Sequence, residues 1–486
     1  MLSILVCHSY FLHLDQKQVS RAKPYPPLAT LQVVALLRQQ GHQVCFFDAM
    51  LADSMDDYHH LLKMERPQVV IFYEDNFNFL SKMCLATMRN AACDMIGAAH
   101  RSGARTIAGG PDVTDAPGHY LKAGADLTLI GEGLSVLREL LPRVDRQPHL
   151  RNEEWVRGLS GVHTLIGGLV HNTVGAQGAA LAEEAGVAAW DLVDMERYRS
   201  VWMKAHGYFS LNLAASRGCP FRCTWCAKPI WGNQYLQRAA ADVAAEMSFV
   251  KQRFKPDHIW FADDIFGFRV DWVRDFSEAT KSLDARIPFT IQTRADLISE
   301  RMAGALSEAG CQEAWIGAES GSQRVLDAMN KGTSVTEILL ARKRLKAVGI
   351  RVGFFIQLGY MGEELGDILA TRTLLDEARP DEIGVSVSYP LPGTKFYDLV
   401  KAQLHGKTHW QESNDLEMMF QGAYTSDFYR DVRNLMHDQV TLQSRDPMTL
   451  GREHLDAKRG LDRRWQELMS REYQYRSLTD KAVAAR

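Results

Sequence analysis

Short apolar runs alternate with longer amphipathic segments along the first 145 residues. Segments with helical periodicity, such as residues 28–40, separate runs that are rich in β-branched and aromatic side chains. The runs predicted to be strands are residues 3–7, 44–48, 69–73, 106–109 and 127–130. Uniformly apolar strands that alternate with helices form parallel sheets covered on both faces. We therefore predict an α/β domain over residues 1–145, with a doubly wound, five-stranded parallel sheet.

The same alternation resumes near residue 208, after a less regular stretch. Residues 146–204 contain a glycine-rich, hairpin-like segment and are predicted to be a linker with a small β element. The next predicted strands are residues 211–215, 258–262, 289–293, 313–317, 352–358 and 382–388. Six strand–helix units within residues 205–400 predict a partial (β/α)6 barrel of the TIM type, with its chemistry at the carboxyl ends of the strands. Residues 401–486 are predicted to be a helical carboxyl-terminal region.

Charge and targeting signals narrow the class of protein. The 486 residues include 56 Lys and Arg against 59 Asp and Glu, a net charge of −3. This balance lacks the positive field on which non-specific nucleic-acid binding relies, so no nucleic-acid partner is expected. No apolar run approaches the roughly 18 residues of a membrane span, and the first residues lack a basic segment and a cleavage site. We expect a cytoplasmic protein without a membrane span.

Three of the eight cysteines are clustered. Cys219, Cys223 and Cys226 form a C-x3-C-x2-C pattern directly after the first predicted barrel strand, whereas the others are scattered among apolar neighbours as small buried side chains. An iron–sulfur cluster of the [4Fe-4S] type usually takes four thiolates, so three leave one iron open to a chelating ligand. The alternative is zinc, which would need a fourth ligand such as Cys311 or a histidine.

The cysteine loop and its place in a partial barrel resemble the radical S-adenosylmethionine (SAM) enzymes. The resemblance implies that the three cysteines are catalytic and hold a [4Fe-4S] cluster, and that SAM is cleaved to a 5′-deoxyadenosyl radical. It also implies an adenine contact at Trp225. The polar residues that end the following strands would surround SAM, and they are Asp263, Asp264, Arg294, Glu319 and Ser320, with Gln357 as a ribose contact. Taken singly, each residue also fits a loop salt bridge or a helix cap.

A doubly wound domain in front of such a barrel resembles the cobalamin-binding class of these enzymes. Glycine-containing turns end two of its strands, at Gly109 and Gly110 and around Glu132, where a bulky ligand would approach the backbone, although tight turns explain them equally. Asn76, after the third strand, is expected to face the cobalamin. The motif D-x-H-x-x-G, which supplies a histidine ligand to cobalt, is absent. Either cobalamin binds without that ligand or the domain has lost the cofactor.

This class contains more than one reaction. The resemblance implies methylation of an unactivated carbon, with methylcobalamin as the methyl donor. The alternative is an oxygen-independent oxidative cyclisation, as in anaerobic Mg-protoporphyrin ester cyclase-like proteins, and a non-catalytic cobalamin or iron–sulfur sensor is a third possibility. Expected partners are a small-molecule substrate and a low-potential electron donor such as a flavodoxin or ferredoxin.

Overall fold

The computed structural model describes residues 1–75, 77, 86–173, 187–226, 233–404, 416–444 and 447–477. Its strands are β1 (Ser3–Cys7), β2 (Gln43–Phe47), β3 (Val69–Tyr73), β4 (Arg105–Gly109), β5 (Leu127–Leu129), β6 (Val162–Ile166), β7 (Leu169–Asn172), β8 (Ser210–Leu213), β9 (Ser216–Arg217), β10 (Leu236–Gln237), β11 (His258–Phe261), β12 (Phe289–Thr293), β13 (Cys311–Glu319), β14 (Arg351–Leu358) and β15 (Glu382–Val387).

Helices separate most of these strands. They are α1 (Gln16–Arg21), α2 (Leu28–Gln39), α3 (Met55–Glu65), α4 (Ala86–Arg101), α5 (Pro111–Asp115), α6 (Pro117–Ala123), α7 (Leu134–Arg146), α8 (Asn152–Trp155), α9 (Met195–His206), α10 (Ala240–Phe254), α11 (Val270–Ser282), α12 (Glu300–Ala309), α13 (Gln323–Ala328), α14 (Val335–Ala347), α15 (Leu365–Ala378), α16 (Lys395–Val400), α17 (Ser426–Gln443), α18 (Pro447–Ser470) and α19 (Glu472–Tyr475). Short 3-10 turns lie at Leu12–Leu14, Trp190–Leu192, Ala295–Leu297 and Lys401–Gln403.

The amino-terminal sheet contains seven strands in the order β2-β1-β3-β4-β5-β6-β7. The five predicted strands are confirmed, and all of them pair in parallel. Side chains of α2 and α7 cover one face, and those of α3, α4 and α6 cover the other. Every residue of β3 is buried as a result. This double cover explains why the sequence of β3, Val-Val-Ile-Phe-Tyr, shows no polar alternation.

The boundary of this sheet differs from the prediction. The hairpin of β6 and β7 was predicted to be a separate element of the linker, but β6 pairs antiparallel with β5 and extends the same sheet. Val162 of β6 is fully buried in the core of the amino-terminal region. The physical reason is that β5 is short and would otherwise leave its backbone groups unpaired at a sheet edge, and the hairpin covers that edge.

The six predicted barrel strands are also confirmed. They form a parallel sheet in the order β15-β14-β13-β12-β11-β8, so each strand lies beside its neighbour in the chain apart from the short β9 and β10. Ile259, Ile291, Ile316 and Phe354 project outward and are fully buried in one core with the surrounding helices. Because six strands do not close a TIM barrel of eight, the sheet is curved and laterally open.

The carboxyl-terminal helices pack on the last barrel strand. Helix α17 contacts β15 and α15, and α18 lies along α17. Phe428, Tyr429 and Trp465 are fully buried there. Leu455, ten residues before Trp465 on α18, is 56% exposed and lies outside this buried contact. No described helix is long and apolar enough to cross a membrane.

The amino-terminal region and the barrel share one hydrophobic core. Leu28 and Leu31 of α2 pack with barrel residues in that core. Polar contacts reinforce the junction: Asn212 of β8 donates to the carbonyl of Pro26, and the Tyr25 hydroxyl lies 3.0 Å from the Ser210 hydroxyl. The amino end of α2 therefore lies against the first barrel strand, which brings the carboxyl edge of the amino-terminal sheet to the barrel.

Candidate active site

The cysteine loop begins and ends on a small two-stranded ladder. β9 pairs antiparallel with β10, with Arg217 opposite Leu236, so the chain leaves and re-enters the barrel at one point. Asp263 supports the start of the loop: its carboxylate accepts hydrogen bonds from the Ala215 amide at 3.0 Å and the Ser216 hydroxyl at 2.5 Å. Burial raises the pKa of Asp263 to about 7. Asp263 therefore holds the base of the loop, and its predicted contact to SAM stays a prediction.

The cysteines of the loop are more exposed than two of the other cysteines. Cys219, Cys223 and Cys226 are partly exposed, whereas Cys7 and Cys311 are buried. Burial raises the pKa of the Cys311 thiol, which keeps it protonated. Cys84 lies outside the described residues, and Cys45 and Cys93 are partly exposed elsewhere in the amino-terminal region. The loop therefore offers the thiolates that can ligate a metal centre.

The donor set fits an iron–sulfur cluster better than zinc. A zinc ion brings all of its sulfur ligands to about 2.3 Å from one centre. Among the described residues, no group of three or more His, Cys, Asp or Glu side chains stands close enough to share one ion. Cys311 begins β13 at the opposite end of the strand from the loop, so it cannot complete such a site. Thiolates that bind different irons of one cluster are spaced more widely.

Arg294 lies against the cysteine loop. Its Nη1 donates to the Cys223 sulfur at 3.7 Å, and its guanidinium carbon lies 3.7 Å from the centre of the Phe221 ring. The side chain is buried and held in place by Asp296, at 2.9 Å, and by the carbonyl of Lys331, at 2.7 Å. The SAM contact at Arg294 stays a prediction, and the structure shows that Arg294 contacts Cys223, which is predicted to be a cluster ligand.

A buried lysine joins this group, and the sequence did not single it out. Lys331 donates to Glu319 at 2.8 Å, and its Nζ lies 6.0 Å from the centre of the Trp225 ring. Burial lowers the pKa of Lys331, but the nearby Glu319 carboxylate and Cys223 outweigh it, so the pKa is raised and the lysine stays charged. A Cβ on Gly317 would lie 2.6 Å from both charged groups, which explains the glycine. The local sequence offers one signal for Lys331, namely that the turn glycine Gly332 directly follows it.

Four of the residues predicted for the barrel site remain: Ser320, Gln357, Trp225 and Asp264. Ser320 lies in a buried turn, where its hydroxyl is 3.2 Å from that of Thr371. Gln357 lies on β14 with 4% exposure, and its Oε1 has no hydrogen-bond partner among the described residues. The Trp225 Nε1 is likewise buried without such a partner in the described part of the chain. Asp264 is partly exposed at the end of β11. The unpartnered atoms of Gln357 and Trp225 could each bind a polar group of a ligand such as SAM, which carries donors and acceptors on its adenosine.

A buried ion pair joins the amino-terminal sheet to the cysteine loop. Arg217, two residues before Cys219, lies 2.8 Å from Glu132, and both side chains are almost fully buried. Arg217 also donates to the Oε1 of Gln32 on α2. Glu132 follows β5, so the carboxyl edge of the first sheet meets the base of the loop. A ligand at this edge would therefore lie beside the cluster.

Close packing explains why glycines occupy the turns at this edge, because a side chain there would contact neighbouring residues too closely. Gly110 has a φ of +139°, and a Cβ there would lie 2.6 Å from the Cβ of Glu74. A Cβ on Gly109 would lie 3.3 Å from the ring of Tyr73. The cobalamin contacts at Gly109, Gly110 and Glu132 stay predictions, and Asn76 lies outside the described residues.

Histidine ligation of cobalt does not fit the first sheet. The His8 Nε2 is 3.1 Å from both the Ala49 amide and an oxygen of Asp48, and the side chain is 1% exposed. Beside it, Glu74 accepts hydrogen bonds from the amide and hydroxyl of Ser9, and burial raises the pKa of Glu74. His8, the histidine that follows β1, is therefore already bonded within the protein.

Comparisons with known proteins agree with this geometry. A family model described as the radical SAM superfamily matches residues 213–375. An uncharacterised methyltransferase of Pyrococcus horikoshii is 25% identical over 77% of this chain and 78% of its own length.

Two solved structures share the fold over both regions. The radical SAM methyltransferase TsrM of Kitasatospora setae, with cobalamin and a [4Fe-4S] cluster bound, aligns with a TM-score of 0.67 and 16% identity, covering 84% of this chain and 76% of that one. The cobalamin-dependent SAM radical enzyme OxsB, with aqua-cobalamin bound, aligns with a TM-score of 0.64 and 19% identity, covering 77% of this chain and 52% of that one.

Proposed function

Because residues 213–375 match the model of the radical SAM superfamily, we propose that the chain is a cobalamin-dependent radical SAM methyltransferase that methylates an unactivated carbon of a small molecule. The observation that carries the proposal is the buried contact of Arg217 with Glu132, which sets the ligand edge of the amino-terminal sheet beside the cysteine loop. The names of the relatives support the same reaction class.

When bound, the cluster would supply the electron for cleavage of SAM to a 5′-deoxyadenosyl radical, and cobalamin would supply the methyl group. The protein positions these groups. Cys219, Cys223 and Cys226 would hold the cluster, and Trp225 would face the adenine of SAM. Glu319, at the end of β13, and Lys331, after α13, form a buried ion pair and would face the amine and carboxylate of the methionine part.

Burial is the second contribution of the chain. Arg294, Glu319 and Lys331 are each 4–6% exposed, so the groups around the cysteine loop are shielded from water. In such a site fixed charges act more strongly than in water, and a radical intermediate is protected from side reactions. The carboxyl edge of the amino-terminal sheet covers the loop from the other side, where Gly109, Gly110 and Glu132 would contact the cobalamin.

The proposal is tested by anaerobic turnover. Protein reconstituted with iron, sulfide and cobalamin is mixed with SAM and a strong reductant, and 5′-deoxyadenosine and S-adenosylhomocysteine are quantified by mass spectrometry. Both products are expected, because one SAM supplies the radical and a second remethylates the cobalt. 5′-Deoxyadenosine alone would indicate oxidative cyclisation or another rearrangement. Neither product from protein with a full cluster would contradict the enzyme and favour a sensor.

The proposal also includes the electron donor of the protein and its location in the cell. Radical SAM enzymes need a reductant and act here on a small molecule. We infer that the electron comes from a low-potential flavodoxin or ferredoxin in the cytoplasm. The expected result is 5′-deoxyadenosine formation when such a protein and its reductase replace the chemical reductant.

A further inference from the structure

A small hydrophobic core lies behind the cysteine loop, separate from the main core of the barrel. Trp225, between the second and third cysteines of the loop, packs against it. The buried residues of this small core come from α13 and the turn after it, from the segments that follow β14 and β15, from α16 and from the carboxyl-terminal region; they are Val325, Met329, Tyr360, Leu391, Phe396, Val400, Leu404, Met419 and Phe420. The carboxyl-terminal region therefore reaches the segment that carries the three cysteines.

Thr224, which directly follows Cys223, is held through its backbone on two sides. Its amide donates to the carbonyl of Met329 at 2.9 Å, and its carbonyl accepts from the amide of Phe396 at 2.9 Å. Met329 follows α13, and Phe396 lies on α16. Two segments that lie outside the loop thus fix the course of the chain between Cys223 and Cys226.

The side chain of Thr224 makes a third contact, with Tyr360. The two hydroxyl oxygens lie 2.7 Å apart. The Thr224 hydroxyl is also 3.1 Å from the carbonyl of Met329, and the Tyr360 hydroxyl is 3.2 Å from that of Ala328. Because each hydroxyl carries one proton, one hydroxyl donates to the other, which then donates to its own carbonyl. Burial raises the pKa of Tyr360 against a smaller opposite effect of Thr224, so the phenol stays protonated.

Tyr360 is itself fixed by its ring and by its turn. The ring is stacked on that of Phe396, with the ring centres 4.9 Å apart, and the Phe396 ring meets the Phe420 ring at 5.2 Å and nearly at a right angle. The turn that carries Tyr360 is closed by Glu363, whose carboxyl group accepts from the Gly359 amide at 2.6 Å. The three rings are buried. The Tyr360 hydroxyl is therefore held in one place relative to the loop.

The position of this loop matters for a cluster. Three thiolates from one short segment have to reach different irons of the same cluster. A ligand set of this kind works when neighbouring side chains lock the segment that presents it. Arg294 contacts the Cys223 sulfur directly, whereas Tyr360 contacts the chain between Cys223 and Cys226.

We propose that Tyr360 is a positioning residue for the cluster, and that it fixes the chain between Cys223 and Cys226 through the hydroxyl of Thr224. The stacked ring of Phe396 connects Tyr360 to the carboxyl-terminal region, which thereby contributes to the geometry of the cluster ligands. This inference rests on the proposed function, since it concerns the cluster of the same site.

Iron release tests the inference without turnover. Full-length protein with iron, sulfide and cobalamin is mixed anaerobically with an excess of an iron chelator, and the absorbance of the iron–chelator complex is followed. Tyr360→Phe keeps the ring and removes the hydroxyl, and it is expected to release iron about fivefold faster, the factor for one neutral hydrogen bond. Tyr397→Phe, the same change at a partly exposed ring beside the same core, is the matched control and should release iron at the wild-type rate. Wild-type release from Tyr360→Phe, or equal acceleration in both variants, would overturn the inference.

Variants of Thr224 show whether Tyr360 acts through it. Thr224→Val removes the partner hydroxyl and is expected to release iron at least about fivefold faster, whereas Thr224→Ser keeps the hydroxyl and should stay within about twofold of the wild-type rate. In the Thr224→Val protein, Tyr360→Phe is expected to add less than about twofold, because the contact is already lost. A full fivefold effect in that background would contradict the proposed route.

Spectroscopy separates positioning from general stability. The electron paramagnetic resonance signal of the reduced cluster is expected to broaden in Tyr360→Phe, because the thiolates of Cys223 and Cys226 are then held less uniformly. The signal of Tyr397→Phe should match that of the wild type. A line width in Tyr360→Phe equal to that of the wild type would show that the hydroxyl does not position the ligands.

The two proposals fail in different ways. If Tyr360→Phe releases iron like the wild type while the wild type forms 5′-deoxyadenosine and S-adenosylhomocysteine, the positioning role is wrong and the methyltransferase stands. If Tyr360→Phe releases iron as expected and the wild type forms neither product, Tyr360 positions the cluster ligands and the reaction class is wrong.

Discussion

The two main sheets of this protein both have buried charged residues after the carboxyl ends of their parallel strands, but the middles of those strands differ. β3 of the first sheet, Val-Val-Ile-Phe-Tyr, is buried at every position, whereas β12 of the barrel, Phe-Thr-Ile-Gln-Thr, alternates between buried and partly exposed positions. Helices cover both faces of the first sheet and one face of the barrel sheet. The first sheet can therefore offer a ligand its edge alone, while the barrel offers an edge and a lumen.

Because of this difference, the two regions suit different kinds of ligand. A large cofactor that needs a broad surface suits the edge of a flat sheet, whose strand ends lie side by side. A substrate that must be enclosed suits the lumen, where side chains from several strands converge. The two sites meet at one place, the buried pair of Arg217 and Glu132.

The largest effect is expected from the loss of one cluster ligand. Cys223→Ala should abolish 5′-deoxyadenosine formation, because a cluster with two thiolates from the loop is not retained. The iron and sulfide content should fall while the cobalamin content stays unchanged, since cobalamin belongs to the other region. Cys311→Ala, at a buried cysteine of the same barrel, is the matched control and should keep full iron. Equal iron loss in both variants would contradict the assignment.

The junction of the two regions is expected to give the next largest effect. Arg217→Gln removes one partner of a buried ion pair and should lower the free energy of unfolding by about 3–5 kcal/mol, measured by urea denaturation. The double variant Arg217→Met, Glu132→Gln removes both charges and should recover most of that loss. An equally unstable double variant would show that the pair is not what stabilises the junction. Both variants should also lose iron, because Arg217 adjoins the loop.

Arg294 should raise the reduction potential of the cluster without being required for the cluster to bind. Loss of one charge-assisted hydrogen bond to Cys223, worth about 1.4 kcal/mol, corresponds to about 60 mV for a one-electron couple. Arg294→Gln is therefore expected to lower the reduction potential of the cluster by that amount in an electron paramagnetic resonance titration, while Arg294→Lys keeps the charge and should shift it less. Identical potentials in the three proteins would contradict a contact to the thiolate.

The smallest effect is expected from substitution of buried carboxyl groups that follow strands in the two regions. Glu363, after β14, is 1% exposed, its Oε1 has no hydrogen-bond partner among the described residues, and burial raises its pKa to about 8. The pKa of Glu363 in the folded state exceeds its ordinary value. The protonated carboxyl therefore makes its full contribution to stability below about pH 4.5, and this contribution is lost as the pH rises through 8.

Glu363→Gln should therefore raise the melting temperature by about 3 °C at pH 8.5 and leave it nearly unchanged at pH 5. Glu74→Gln in the first sheet is the comparison, and its gain should be smaller because Ser9 satisfies that carboxylate. A gain for Glu363→Gln that is the same at both pH values would show that the carboxyl does not titrate as proposed.

Local pattern was enough to predict the strands and the cysteine loop. Strand positions follow from runs of apolar side chains, and the spacing of Cys219, Cys223 and Cys226 is contained in eight consecutive residues. Lys331 was missed because its partners, Glu319 and Trp225, lie far away in the chain. The hairpin of β6 and β7 was assigned to the linker because strand pairing with β5 leaves no local trace.

The sequence by itself determined the two regions, their parallel strands and the clustered cysteines, because side-chain periodicity and residue spacing are short-range properties. Only the tertiary structure decided that Arg217 meets Glu132, that Arg294 and Lys331 converge on Cys223, and that the lumen is open. These facts depend on which strand ends become neighbours and on which sheet face lacks helices. Both are set by packing between segments that are distant in the chain.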